Sequence, residues 1–205
     1  MPPLSGWTLW ITGFVGKAPA LDQVMSLLAS DFFAPVAIAL IMLGLWLGHP
    51  DPFRREALQK SIMNASVAIG ISTLVVRVLN LWDFWPRPFS DLIPDVALRE
   101  SAKAAANTVF YLPHDPTFPS NAATIAFAAA TAVFLGHRKA GALLYFMAFL
   151  WVFARFYAGI HFFIDLAGGA IIGVITSLLI SRLFMPRTEP LPSLALKLAR
   201  YLYVA

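Results

Sequence analysis

Residues 140–184 read AGALLYFMAFLWVFARFYAGIHFFIDLAGGAIIGVITSLLISRLF. Two apolar runs, about Ala140–Tyr157 and His161–Phe184, flank a short turn. Each approaches the ~20 residues that a helix needs to cross a bilayer core. Lipid offers backbone groups no hydrogen-bond partners, so a spanning segment must satisfy them within itself, as a helix does. Two such runs back to back make the chain an all-α, polytopic membrane bundle.

The same pattern recurs toward the N-terminus, at about Phe33–Leu47, Ile62–Trp82 and Ser120–Leu135, so five clear spans are expected. Trp7–Phe14 is too short to span and Leu21–Leu28 is amphipathic; both read as interfacial helices. The loop GHPDPFRREALQK separates the first two spans, and GHRKAG the third and fourth. Asp83–Pro119 is polar and proline-rich, with a short surface helix expected at Val96–Thr108. Beyond Phe184 come Pro186, Pro190, Pro192 and a short basic amphipathic piece. The 205 residues are read as one domain. Only 13% of them are charged and 59% are hydrophobic, against about 25% charged in a soluble domain. There is no cysteine, which excludes disulfides, a thiolate zinc site and a thiol nucleophile. No His/Asp/Glu set has metal-site spacing. The N-terminus lacks the basic start and cleavage signature of a signal peptide.

Alternating spans put the N-terminus, Asp83–Pro119 and Tyr157–His161 on one side. The other side receives Arg54, Arg55, Lys60, Arg138, Lys139, Arg182, Arg187, Lys197 and Arg200. The first side holds only Lys17, Arg87, Arg99, Lys103 and Arg155. Positive charge marks the cytoplasmic face, so the first side is expected to be extracytoplasmic. The net charge of +4 is mostly this topology signal and calls for no nucleic-acid partner. Trp82, Trp85 and Trp151 fall at outer ends of spans, as interface-anchoring aromatics do.

Ionisable residues inside spans mark functional sites by default. In ARFYAGIHFFID, His161 and Asp165 are four apart and on a helix would share a face. A carboxylate on one imidazole nitrogen sets the tautomer and leaves the other free to attack. Arg155 offers a fork suited to phosphate oxygens. The alternative is a structural ion pair between Arg155 and Asp165. In WPRPF, prolines stiffen the presentation of Arg87, which otherwise snorkels to the interface. In PTFPSNAAT, Ser120 stands as an N-cap before an alanine-rich helix. That helix end can bind phosphate, or Ser120 can simply cap it. Three such features converge on one face.

Together these residues resemble the type 2 phosphatidic acid phosphatase (PAP2) superfamily of membrane lipid phosphatases. Its motifs are Lys-x6-Arg-Pro, Pro-Ser-x-His and Ser-Arg-x5-His-x3-Asp. Arg87-Pro88 matches the end of the first, Pro119-Ser120-Asn121 the start of the second, and Arg155, His161 and Asp165 the third. LDQVMSLLAS before the first span, and WPRPF, resemble the undecaprenyl-diphosphatase branch. The resemblance implies a six-helix core, a bacterial cytoplasmic membrane, and hydrolysis of undecaprenyl diphosphate at the outer leaflet. His161 would be the nucleophile that forms a phosphohistidine and Asp165 its orienting acid. Asn80, Arg87, Ser120, Asn121 and Arg155 would hold the phosphate. No metal or other cofactor is implied, and the expected partners are a polyprenyl or other lipid phosphate and the bilayer.

Three positions depart from the motifs. Asn80 replaces the first motif's lysine, which fits the undecaprenyl-diphosphatase branch, and Ala154 replaces the third motif's serine. Ala122 replaces the second motif's histidine, whose family role is to protonate the leaving oxygen. Without it the chain is expected to be inactivated, by design or as a natural pseudoenzyme, with His114 as a possible substitute donor or an ordinary loop histidine. Arg77, one turn inside Asn80, either restores the missing charge or pairs with Asp83 or Asp165. Gly169 and Gly173 are assigned to helix packing. Phosphatidate or phosphatidylglycerophosphate are alternative substrates. A non-catalytic lipid-phosphate binder or transporter is the rival class, although no repeat symmetry is visible.

Overall fold

The computed structural model describes residues 4–48 and 50–202, with the side chain of Pro52 excepted; His49, in the loop after the first expected span, lies outside them. Among the described residues the regular structure is entirely helical. The helices are α1 (Ser5–Thr12), α2 (Pro19–Ala29), α3 (Phe33–Leu47), α4 (Pro52–Leu79), α5 (Val96–Val109), α6 (Asn121–Gly136), α7 (Arg138–Tyr157), α8 (Phe163–Leu179), α9 (Met185–Arg187) and α10 (Leu191–Tyr201). A 3₁₀ turn at Asn80–Trp82 extends α4, and a π-helical turn at Ile180–Phe184 joins α8 to α9.

The bundle is built around α6, which packs on α4, α7 and α8. Its buried positions are mostly alanine, including Ala123, Ala126, Ala129, Ala130 and Ala132. Small side chains let neighbouring backbones close in, which is how helices associate where lipid supplies no hydrophobic drive. The close approach is greatest against α8. A Cβ at Gly169 would run into the carbonyl oxygen of Ser120, and one at Gly173 into that of Thr124. Thr124 Oγ1 donates to the Gly169 carbonyl across the seam at 3.0 Å. The packing role expected for both glycines is therefore the observed one.

Among the described residues, three helices are long and apolar enough to cross a membrane: Phe53–Trp82, Arg138–Tyr157 and Phe163–Arg187. The expected spans at 33–47 and 120–135 are helices of 15 and 16 residues. With α2, α3 forms a pair bent by 55° that passes the same test jointly. Several boundaries differ from expectation. Residues 53–60, expected in a loop, are the first turns of α4; Asp51 caps them by accepting from the Phe53 N–H at 2.9 Å. His137 caps α7 in the same way, its Nδ1 accepting from the Ala140 N–H at 3.1 Å. The surface helix expected at 96–108 is α5, capped by Asp95.

The N-terminal helices do more than lie at an interface. Thr8, Ile11 and Thr12 of α1 are buried, and Thr12 bonds to Ser101 of α5 at 2.7 Å. Asp22 of α2 accepts from the Tyr157 hydroxyl at 2.7 Å. Helices α1, α2 and α5 thus roof one end of the bundle, where the α7–α8 connection also lies. Trp7, Trp10, Val24 and Leu27 remain exposed. At the opposite end α10 lies against α4, through buried Leu196 and the Arg200–Glu56 ion pair at 3.0 Å.

Candidate active site

Under the roof, a cavity of about 260 Å³ is lined by Asn80, Arg87, Asn121, Ala122, Arg155 and His161, together with Asp31, Tyr111, Trp151 and the apolar residues Pro35 and Ile125. Six of the eight residues expected to form a site therefore share one wall. Ser120 and Asp165 lie just behind it, both fully buried.

His161 and Asp165 meet, but not by sharing a helix face. His161 precedes α8, whose N-cap is Phe162, and Asp165 is the third residue of the helix. The Asp165 carboxylate turns back to accept from the Phe162 N–H at 2.7 Å. This capping arrangement folds the chain so that His161 Nδ1 lies 3.6 Å from Asp165 Oδ2. Between them stands Thr117, whose hydroxyl is 2.6 Å from Asp165 Oδ2 and 3.2 Å from His161 Nδ1. The hydroxyl donates to the carboxylate, so it accepts from Nδ1–H. That leaves Nε2 with its lone pair, facing Ser120 Oγ at 3.4 Å. The tautomer follows from the network rather than from observed hydrogens. Asp165 Oδ1 accepts from the Trp85 indole at 2.9 Å.

Thr117 and Trp85 are among the residues that sequence reasoning missed, with Asp31, Tyr111 and Asp115. Trp85 reads as an interface anchor, yet it points inward. Trp151 is buried, its ring 5.2 Å from the Arg155 guanidinium carbon. Thr117 stands three residues before Ser120 in a stretch already singled out; only the fold reveals that it reaches the imidazole.

Each arginine holds a carboxylate. Arg87 donates from Nε to the Asp115 carbonyl (2.9 Å), from Nη1 to the Ile160 carbonyl (2.7 Å) and from Nη2 to the Asp115 carboxylate (3.0 Å). Burial pulls its pKa below the ordinary arginine value, and Asp115 opposes this. The guanidinium remains a cation and ties the loop before α6 to the α7–α8 connection, which rules out snorkelling. Arg155 pairs with Asp31, at the α2–α3 elbow, and stacks between Phe110 and Trp151. Among the described residues it makes no ion pair with Asp165, whose oxygens are taken by Thr117, Trp85 and Phe162. Ser120 caps α6 as expected, although its hydroxyl is 3.5 Å from the Ala123 N–H.

Arg77 takes neither expected role. It is exposed on the outward side of α4 with Leu74 and Val78, lines no part of the cavity, and makes no ion pair with Asp83 or Asp165 among the described residues. His114 is exposed and faces a separate outer cavity beside Lys103, so it supplies no proton donor to this one.

Four buried polar atoms around the cavity have no partner: Asn80 Oδ1, Asn121 Oδ1, Trp151 Nε1 and Arg155 Nε. Native structures leave few such atoms unsatisfied, and each calls for an explanation. Clustered around one polar cavity, they describe a site built for a hydrogen-bonding ligand. The cavity shares Pro35 and Ile125 with an apolar groove of about 470 Å³ between α3, α4 and α6.

The PAP2 superfamily profile matches residues 61–189. The chain belongs to the PAP2 superfamily. It is 32% identical over 176 residues to the undecaprenyl-diphosphatase BcrC of Bacillus subtilis (strain 168), covering 84% of this chain and 79% of that one. It is 35% identical over 160 residues to the bacitracin transport permease protein BcrC of Bacillus licheniformis, covering 78% and 70%. Among solved structures it resembles Aquifex aeolicus LpxE, with a TM-score of 0.57 and 28% identity over 85% of this chain and 92% of that one. The protein is a PAP2 membrane phosphatase homologous to bacterial undecaprenyl-diphosphatases, as its motifs imply.

Proposed function

We propose that the protein hydrolyses a polyprenyl diphosphate, most concretely undecaprenyl diphosphate, to the monophosphate and inorganic phosphate on the extracytoplasmic side of a bacterial cytoplasmic membrane. The observation that carries this reading is the cluster of unpaired polar atoms around His161 in a cavity that continues into an apolar groove. A phosphate group would accept from Arg155 Nε–H, Trp151 Nε1–H and the Nδ2–H groups of Asn80 and Asn121, with the isoprenoid chain along the groove. His161 Nε2 attacks the terminal phosphorus. Nδ1–H stays bonded through Thr117 to Asp165, which stabilises the charge the imidazole gains. Arg87 and Arg155 offset charge on the phosphoryl oxygens in transfer. Water then hydrolyses the phosphohistidine.

The relative from Bacillus subtilis supports the diphosphate over phosphatidate or phosphatidylglycerophosphate. The test is rapid quench with terminally ³²P-labelled long-chain diphosphate. Acid-labile, base-stable label on the parent, absent from His161→Ala, is expected. A His161→Ala protein that turns over at near-parent rate would make His161 structural. Tight binding without any phosphate release would favour the binder or transporter.

A further inference from the structure

We infer that this pocket selects phosphoanhydrides over phosphate monoesters, because it presents a nucleophile and two guanidinium groups but, among the described residues, no free acid to protonate a departing oxygen. The inference rests on His161 being the nucleophile.

The lining side chains support it one by one. Arg87 and Arg155 are cations that do not give up a proton. Asp31 and Asp115 are carboxylates ion-paired to them. The Tyr111 hydroxyl donates to Asp31 at 2.9 Å, and burial followed by that bond pushes its pKa up, away from useful acidity. Asn80, Asn121 and Trp151 do not ionise. Ala122 contributes a methyl group. His161 is itself the attacking base, its Nδ1–H committed to Thr117, and the Ser120 hydroxyl 3.4 Å from Nε2 is an alcohol, no stronger an acid than the departing group's own.

The consequence depends on the bond that breaks. The Nε2 lone pair forms the N–P bond as the bond from phosphorus to the departing oxygen breaks, and that oxygen leaves with the bonding pair. From an anhydride it leaves as a lipid phosphate, an anion whose conjugate acid has a pKa of about 6, so no proton is needed. From a monoester it leaves as an alkoxide, whose conjugate acid resembles water at ~15.7, so protonation in the transition state matters. Water afterwards adds to phosphorus, the N–P pair returns to Nε2, and the proton of water passes to solvent. A general acid supplies roughly 10²–10⁴-fold, and here that factor is withheld from esters and little missed by anhydrides. The motif departure at Ala122 thus narrows the substrate class rather than abolishing activity.

The experiment uses the detergent-purified full chain with a long-chain alkyl diphosphate and its monophosphate of equal chain length. The parent is expected to release phosphate from the diphosphate at least ~100-fold faster. Ala122→His should narrow that ratio at least ~10-fold by raising the monophosphate rate. Equal parent rates on both substrates overturn the inference and leave the phosphatase reading standing. So does diphosphate cleavage that appears only after Ala122→His. No release from either substrate by either protein, with no labelled His161, overturns the phosphatase reading itself. Should the variant not fold, aryl phosphates of graded phenol pKa decide with the parent alone. A rate that falls steeply as the phenol weakens is expected, and a flat dependence overturns the inference.

Discussion

Replacing Thr117 by valine keeps the shape of the side chain and removes one hydroxyl. That hydroxyl is one of three donors to the fully buried Asp165 carboxylate, the others being the Trp85 indole and the Phe162 N–H. It also stands 3.2 Å from His161 Nδ1, closer than the carboxylate at 3.6 Å. The imidazole is thus held through threonine more than directly. A hydrogen bond to a charged group contributes about 1.5–3 kcal/mol. If that support is strongest when the imidazole becomes positive on attack, its loss appears in kcat as roughly 10- to 150-fold, at ~1.4 kcal/mol per decade. KM should hardly change, since Thr117 does not line the cavity. Thr117→Ser restores the hydroxyl and should recover kcat to within about threefold. The assay is steady-state phosphate release from a long-chain diphosphate by the purified protein. A valine variant with parent kcat would refute the relay. A serine variant as impaired as the valine would reduce Thr117 to packing.

Two further outcomes follow from the fold. Gly169→Ala drives a methyl group into the Ser120 carbonyl oxygen, where backbone cannot yield; overpacking of this kind costs about 1–3 kcal/mol and should lower the melting temperature in detergent, whereas Gly70→Ala, with open space around it, should not. In a chain without cysteine, a single cysteine at exposed His114 should react with a membrane-impermeant thiol reagent on intact cells, and one at exposed Lys139 only after permeabilisation; the reverse pattern would put the cavity on the cytoplasmic side.

How much was legible in advance differs from residue to residue. Spans 62–82, 140–157 and 161–184 were readable because lipid imposes a length and composition on any segment that crosses it. His161, Asp165, Arg155, Arg87 and Asn80 were found through motif spacing, and Ser120 through its place before an alanine-rich run. The start of α4 was misplaced because charged residues look like loop when only hydropathy is weighed, although Asp51 carried a capping signal. Arg77 was weighed for a buried role because its position one turn from Asn80 suggested a shared face, and the structure turns it outward.

By itself, then, the sequence determined that the chain is a helical membrane protein and which ionisable residues break its apolar runs. Both are local properties, set by burial in lipid and by spacing along a few turns. Tertiary structure alone decided the rest: that His161 meets Asp165 through a helix cap and Thr117, that Arg155 pairs with Asp31 more than a hundred positions away, and that Trp85 and Trp151 turn inward. It also decided that, among the described residues lining the cavity, no acidic side chain stands free beside His161. Such contacts join loops and helix ends distant in the chain. Their partners are chosen by how closely α6 and α8 pack and by which buried polar groups must be satisfied, neither of which has a period that a sequence can display.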